Sequence, residues 1–361
     1  MTDDKRLIDI DWEAFQQLSL AAKIPYCTRN GNPYHVLIAQ QFDRNVLDRL
    51  GALATKIRRL AKSRAGMQFL AGLLEHKRAM LYFSQPSSRT FLSFYAACQI
   101  LGMKTAELRD TATSSEMKGE SQEDSVRTFS SYFDLLIMRS PTQGFAEKMA
   151  WLLSSTERPV PIINAGSGKD QHPTQALLDI YTLQRSFEKS GGIDGKTIVF
   201  VGDLLRGRTV RSLSFLLTNY RNVRQVFVAP PQLQIGQDIL HQLDAAGITY
   251  DIRHELEPTI PEADAIYMTR IQDEWDKDGE SKKLDITPFC FTARHLAQLK
   301  HQAVIMHPLP RRQEIATEVD RDPRAVYWRQ VRNGMWIRVA LMATIFGRAE
   351  AIAAHYEQNL G

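Results

Sequence analysis

A chain of 361 residues is longer than one compact core usually holds, so two domains are expected. With 43% hydrophobic and 24% charged residues it has the balance of a globular protein, which excludes a disordered or fibrous chain. A net charge of +4 is too small for a surface that tracks nucleic acid, but it permits a local cluster of arginines at a site for small anions.

Cys27, Cys98 and Cys290 lie far apart and form no CxxC pair, which argues against a disulfide framework or a cysteine zinc site and suits the cytoplasm. The N-terminus MTDDKRLIDIDWEAF is acidic and polar, unlike a signal peptide. No apolar run approaches the roughly 18 to 20 residues that span a bilayer. A soluble intracellular protein without membrane or nucleic-acid partners is expected.

In chain order, residues 1 to about 40 read as an extension, part of it loosely packed, with a turn at Asn30–Pro33. Beyond it, AMLYF (79–83), LLIMR (135–139), PIINA (161–165), TIVFVG (197–202), QVFVAP (225–230), AIYMTR (265–270) and AVIMHP (303–308) read as strands. They are continuously apolar, as in parallel sheets covered on both faces. Helical patterns such as 90–102, 172–187 and 208–220 lie between them. The expected fold class is α/β, with two doubly wound domains, each a mostly parallel sheet flanked by helices. The Gly-rich stretch 188–197 divides the domains. Residues 1–188 form the extension and the first domain, and residues 189–332 the second. A C-terminal amphipathic helix within 333–361 is expected to pack back on the first domain.

Two glycine-bearing segments are decoys. GGIDGKT lacks the earlier glycine of a P-loop and precedes a strand, and GDLLRGRT follows a strand but lacks GxGxxG. ATPase and dinucleotide chemistry are thereby disfavoured.

The anion chemistry sits elsewhere. SQPSSRTF (84–91) leads from a strand into a helix, offering the hydroxyls of Ser87, Ser88 and Thr90, helix N-terminal amides and the Arg89 fork. An ordinary N-cap with a surface arginine is the plainer alternative. Arg139 and Arg270 close buried strands and Arg208 opens a helix after another, all at carboxyl edges where α/β sheets bind ligands. Several such arginines suit a substrate with several negative charges. His172 precedes a proline-started helix with Gln175 one turn on, and HPLPR (307–311) fixes the backbone about Leu309.

SSRT, MKGES, MRSP, NAG with QHPTQALLDIYT, VGDLLRGRTVRSL, YMTRIQ, and MHPLPR with EIATEVDRDPRA together resemble the aspartate carbamoyltransferase family, over roughly residues 45 to 350. The resemblance implies transfer of a carbamoyl group from carbamoyl phosphate to aspartate in pyrimidine synthesis, with no metal or organic cofactor. His307–Pro310 and Arg270–Gln272 match the elements that favour aspartate over ornithine. By the same resemblance, Ser87, Ser88, Arg89 and Thr90 hold phosphate with Arg139. Thr90, Arg139 and His172 face the carbonyl oxygen. Gln175 and the carbonyls of Pro308 and Leu309 orient the carbamoyl nitrogen. Arg208 takes the α-carboxylate of aspartate, and Arg270 with Gln272 the β-carboxylate. Ser114 and Lys118 would reach the site from a neighbouring subunit of a homotrimer. Regulatory chains or other pathway enzymes are further partners the resemblance leaves open. The chain departs from the family at Gln85, normally acidic, at Phe91, normally basic, and at Trp275, normally arginine; Leu205 and Arg211 replace Lys and His.

Overall fold

The structure, a computed structural model, describes residues 5–109, 119–168, 171–273, 276 and 284–361. They form two compact units, Met1–Leu177 with Gly334–Gly361, and Leu178–Asn333.

Unit 1 begins with short helices α1 (Trp12–Gln17) and α2 (Leu20–Lys23) and a two-residue hairpin, β1 (Thr28–Arg29) and β2 (Asn32–Pro33). This segment is packed rather than loose. Phe15, Leu7 and Cys27 are buried in the unit's core. Lys23 pairs with Glu147 at 2.7 Å, and Trp151 donates to the Ile10 carbonyl at 2.8 Å. A scatter of single apolar residues is enough to seat it because each meets a formed core rather than building one.

Helix α3 (Arg44–Leu60) is capped by Asp43, whose side chain accepts from the Val46 N–H at 2.8 Å. Its buried Leu47, Leu50, Ala54 and Ile57 follow the helical repeat. After α4 (Arg64–Gly72), β3 (Arg78–Phe83), α5 (Ser88–Ile100), β4 (Lys104–Leu108), α6 (Gln122–Tyr132), β5 (Leu135–Ser140), α7 (Phe145–Ser154) and β6 (Ile162–Ser167) alternate. The four strands form a parallel sheet in the order β4-β3-β5-β6. Gly102 has φ +75°, and a Cβ there would sit 1.8 Å from the Ala71 carbonyl oxygen, so the α5–β4 turn requires glycine.

Helix α8 (Pro173–Phe187) contains the unit boundary, which falls ahead of the Gly-rich stretch. Thr174 bonds within unit 1, to Arg338, whereas Asp179 and Thr182 bond within unit 2, to Tyr267, Gln330 and Asn333. The helix thus belongs to both hydrogen-bond networks.

Unit 2 comprises β7 (Thr197–Val201), α9 (Arg208–Leu217), β8 (Arg224–Val228), α10 (Gln237–Ala245), β9 (Tyr250–Arg253), β10 (Ala265–Met268) and β11 (Val304–Met306). Its sheet is parallel throughout, in the order β11-β10-β7-β8-β9. The C-terminal region folds as two helices rather than one, α11 (Tyr327–Ile345) and α12 (Ala349–Leu360). Gly347 at φ +64° ends the first, with its N–H on the Thr344 carbonyl and the Arg348 N–H on Ala343. Within unit 1, α12 lies on α3 through Lys56–Glu357 and an Arg59 bond to the Tyr356 hydroxyl, and His355 stacks on Phe69 of α4.

Candidate active site

In unit 1, Ser84–Ser87 join β3 to α5. Ser87 is the N-cap of α5 yet makes no capping side-chain hydrogen bond, unlike an ordinary serine cap. The positive end of α5 therefore opens at the carboxyl edge of the sheet with hydroxyls around it. Ser88 and Arg89 are exposed there and Thr90 is buried.

The next strand, β5, delivers Arg139, which is buried. Its carbonyl accepts from the Ser84 hydroxyl at 3.2 Å and the Gln85 N–H at 3.3 Å, and its Nη1 donates to the Ala165 carbonyl at 3.1 Å. Those bonds stitch together the ends of β3, β5 and β6. Beyond β6, His172 and Gln175 lie buried at the start of α8, where the Gln175 N–H donates to the His172 carbonyl at 3.0 Å.

A neutral network anchors the loop before α8. Gln171 accepts from the Ala39 N–H at 3.1 Å and donates to Gln40 at 3.2 Å. Asn164 accepts from the Gly166 N–H at 2.8 Å and donates to the Leu37 carbonyl at 3.0 Å, while Val36 bridges to Ile163. On α11, the Arg338 guanidinium is 3% exposed and donates to Ser93 at 2.7 Å and Thr174 at 3.4 Å. It ties α5 to the first turn of α8. Arg338 was detectable as a charge inside the apolar run WIRVALM, but its partners were not.

Phe91 is buried against Phe83 and Tyr95, with the Arg109 guanidinium 4.5 Å from its ring centroid. A cation therefore faces this position. The buried side-chain oxygen of Gln85 has no hydrogen-bond partner among the described residues.

In unit 2, the ends of three neighbouring strands carry the remaining candidates. Arg208 opens α9 after β7, Arg270 and Gln272 follow β10, and Pro308 and Leu309 follow β11. Gly202 packs so tightly on the strand beside it that a Cβ would sit 2.2 Å from the Thr269 carbonyl oxygen. Asp203, fully buried, receives the Arg206 N–H at 3.1 Å and the Gln272 N–H at 3.0 Å, one on each carboxylate oxygen. Arg270 lies 3.8 Å from Asp273, which also accepts from Arg312 at 2.8 Å. Arg211 pairs with Asp238, holding that carboxyl below its ordinary range through the hydrogen bond.

Leu309 has φ +57° beside a cis Leu309–Pro310 bond. Such a φ in a non-glycine residue costs about 1–3 kcal/mol and needs support. The Leu309 N–H donates to His307 Nδ1 at 2.7 Å, so Nε2 carries the ring proton and donates to Glu314 at 2.7 Å. Burial alone would push the Glu314 carboxyl up, but the His307 bond and the Arg312 N–H together hold it below its ordinary value. Behind His307, its N–H donates to Gln330, which donates to Asp179, which accepts from Tyr267. Asp203, Glu314 and Asp179 were missed because a buried acid has no signature until its partners are in place.

Ser114, Lys118 and Trp275 lie outside the described residues. Among the described residues no group of three or more His, Cys, Asp or Glu could hold a metal ion, and no helix is long and apolar enough to cross a membrane. Unit 1 thus presents helix amides, hydroxyls and guanidinium groups suited to a phosphorylated carbonyl compound. Unit 2 presents guanidinium groups and an amide suited to a dicarboxylate, beside backbone carbonyls that can accept only from an N–H or O–H.

Comparison with known proteins gives the same division. The profile for the aspartate/ornithine carbamoyltransferase carbamoyl-P binding domain matches residues 34–185, and that for the Asp/Orn binding domain matches 194–345. Aspartate carbamoyltransferase 2, chloroplastic, from Pisum sativum is 39% identical over 328 residues, covering 88% of this chain and 80% of that protein. The multifunctional protein CAD of Squalus acanthias is 41% identical over 87% of this chain, which spans only 13% of that protein. Aspartate transcarbamoylase from Trypanosoma cruzi, in complex with N-(phosphonacetyl)-L-aspartic acid, superposes with a TM-score of 0.78 at 35% identity, covering 87% of this chain and 96% of that one. The chain belongs to the aspartate/ornithine carbamoyltransferase family.

Proposed function

We propose that the chain transfers the carbamoyl group of carbamoyl phosphate to the amino group of L-aspartate, giving N-carbamoyl-L-aspartate and phosphate for pyrimidine biosynthesis. The observation that carries this reading is that each of the two parallel sheets carries arginines at its carboxyl edge, beside a helix N-terminus with hydroxyls in unit 1 and beside Gln272 in unit 2.

In unit 1, the start of α5 with Ser87, Ser88, Arg89 and Thr90 binds the phosphate, assisted by Arg139. The amine nitrogen of aspartate attacks the carbamoyl carbon, and the C=O electrons move onto oxygen. Thr90, Arg139 and neutral His172 stabilise that oxyanion by hydrogen bonds that strengthen as charge develops. Collapse breaks the carbon–phosphate oxygen bond, and the departing phosphate takes the amine proton, so no protein carboxylate is needed as a base. Gln175 and the carbonyls of Pro308 and Leu309 orient the carbamoyl NH2. Arg208 binds the α-carboxylate, and Arg270 with Gln272 the β-carboxylate. Positioning and preorganised charge supply most of the acceleration.

The reading includes a homotrimer in which Ser114 and Lys118 act in a neighbouring subunit's site, and a cytoplasmic setting that suits three free cysteines. Remixing Lys118→Ala with His172→Ala chains should restore about a quarter of wild-type sites in a cyclic threefold assembly. The primary test is phosphate release from carbamoyl phosphate with a panel of amines. Release should require aspartate and fail with ornithine; faster release with another amine would replace aspartate as the acceptor.

A further inference from the structure

We propose that Arg206 and Asp276 are positioning residues for the acceptor, acting as a clamp that fixes Gln272 and the segment after β10 onto the β7–α9 turn. The proposal rests on the reading of that segment as the aspartate-binding element.

Arg206 lies in the turn that ends with Arg208. Its Nη1 is 2.6 Å from Asp276 Oδ1, 3.5 Å from the Gln272 carbonyl oxygen and 4.0 Å from Asp203 Oδ2. The side chains of Arg206, Asp276 and Asp203 are 13%, 8% and 0% exposed, so water screens this cluster poorly. An exposed ion pair contributes little, but removing one member of a buried pair leaves an uncompensated charge.

The second observation is where the bonds converge. The N–H of Gln272 donates to Asp203 and its carbonyl accepts from Arg206, so both backbone polar groups of one substrate residue are tied to a single turn. Gly202 closes the same turn against Thr269. An apolar contact could hold the two segments together equally well, but it would not fix the peptide planes on either side of Gln272. Fixed planes set the direction of the Gln272 side chain and of Arg270 two residues earlier.

The test uses the full chain carrying Asp276→Asn, Arg206→Gln, both together, and Arg206→Lys. Each single change should raise KM for aspartate about tenfold while KM for carbamoyl phosphate stays within about twofold. The double variant should be no worse than either single one, because both remove the same contact. Arg206→Lys, which keeps the pair with Asp276, should recover most of the loss. Unchanged aspartate KM, a parallel rise in both KM values, or fully additive losses would overturn the clamp.

Amide exchange at Gln272, read by mass spectrometry on the same proteins without substrate, should quicken in Asp276→Asn and Arg206→Gln. Unchanged exchange would also overturn the clamp, even in a variant too unstable to assay. Faster exchange in a protein whose wild type does not use aspartate would instead leave the clamp standing and remove the aspartate reading.

Discussion

The two sheet edges differ in whether buried acids help to hold them rigid. In unit 1, the loop bearing His172 is held by neutral bonds among Gln171, Gln40, Asn164 and backbone groups of residues 36–39. In unit 2, Gln272 and Leu309 are held by charged or charge-assisted contacts through Asp203, Arg206, Asp276, His307 and Glu314. The difference suits what each edge is proposed to bind. A dianionic phosphate is best met by amides and guanidinium groups with no acid close by, whereas arginines receiving carboxylates can be oriented by fixed carboxylates behind them.

The largest expected separation comes from removing one arginine at each edge. Arg270→Ala should cost about 2–5 kcal/mol in aspartate binding and leave carbamoyl phosphate nearly unaffected, read as separate KM values. Arg89→Lys should cost on the order of 3 kcal/mol, about a hundredfold in kcat/KM, because an ammonium cannot reproduce a bidentate fork. Near-normal turnover of Arg89→Lys would remove the phosphate role of that residue.

A second separation is in acid sensitivity. Burial pushes the fully enclosed His35 imidazole down to about 3, with Arg29 adding to the effect. A group whose folded pKa lies below its unfolded value near 6.5 gives full stability above that pH and loses it as pH falls towards the folded value. Unit 1 should therefore lose about 2 kcal/mol between pH 6.5 and 5, and His35→Gln should flatten that slope in denaturant titrations. Glu314 and Asp238 are depressed carboxyls, so their contribution in unit 2 persists until pH falls below the unfolded carboxyl range of about 4. A steep loss between pH 6.5 and 5 that survives in His35→Gln would locate the sensitivity elsewhere.

The smallest expected effect is at Asp273, whose carboxylate lies 3.8 Å from Arg270 and would compete for it with the substrate carboxylate proposed to bind there. It is 40% exposed, so Asp273→Asn should improve aspartate affinity by only about 0.3–1 kcal/mol, most visibly at low salt.

Much of this arrangement was legible in the sequence. The seven continuously apolar strands AMLYF through AVIMHP are all present, because a strand covered on both faces must be apolar throughout. Of the four edge strands of the two sheets, β4 and β9 were not predicted. β4 carries exposed Lys104 and Glu107, and β9 is nowhere fully buried, so neither leaves an apolar run. The arginines at strand ends were legible because position in a βα repeat predicts the carboxyl edge. The bonds that brace the surrounding loops and helices were not, since Asn164 with Leu37, Arg338 with Ser93 and Asp203 with Gln272 join residues far apart in the chain.

The return of α11 and α12 to unit 1 also orders events in time. Residues 334–361 supply Arg338 to the start of α8 and cover α3, yet they are synthesised after all of unit 2. Unit 2 is one continuous stretch, Leu178–Asn333, and can close as soon as it clears the ribosome. Unit 1 must wait with its first 177 residues translated while α3, α5 and the start of α8 lack their contacts with residues 334–361. During that interval its exposed apolar surface is open to chaperones and to aggregation, so the half of the protein made first is the half finished last.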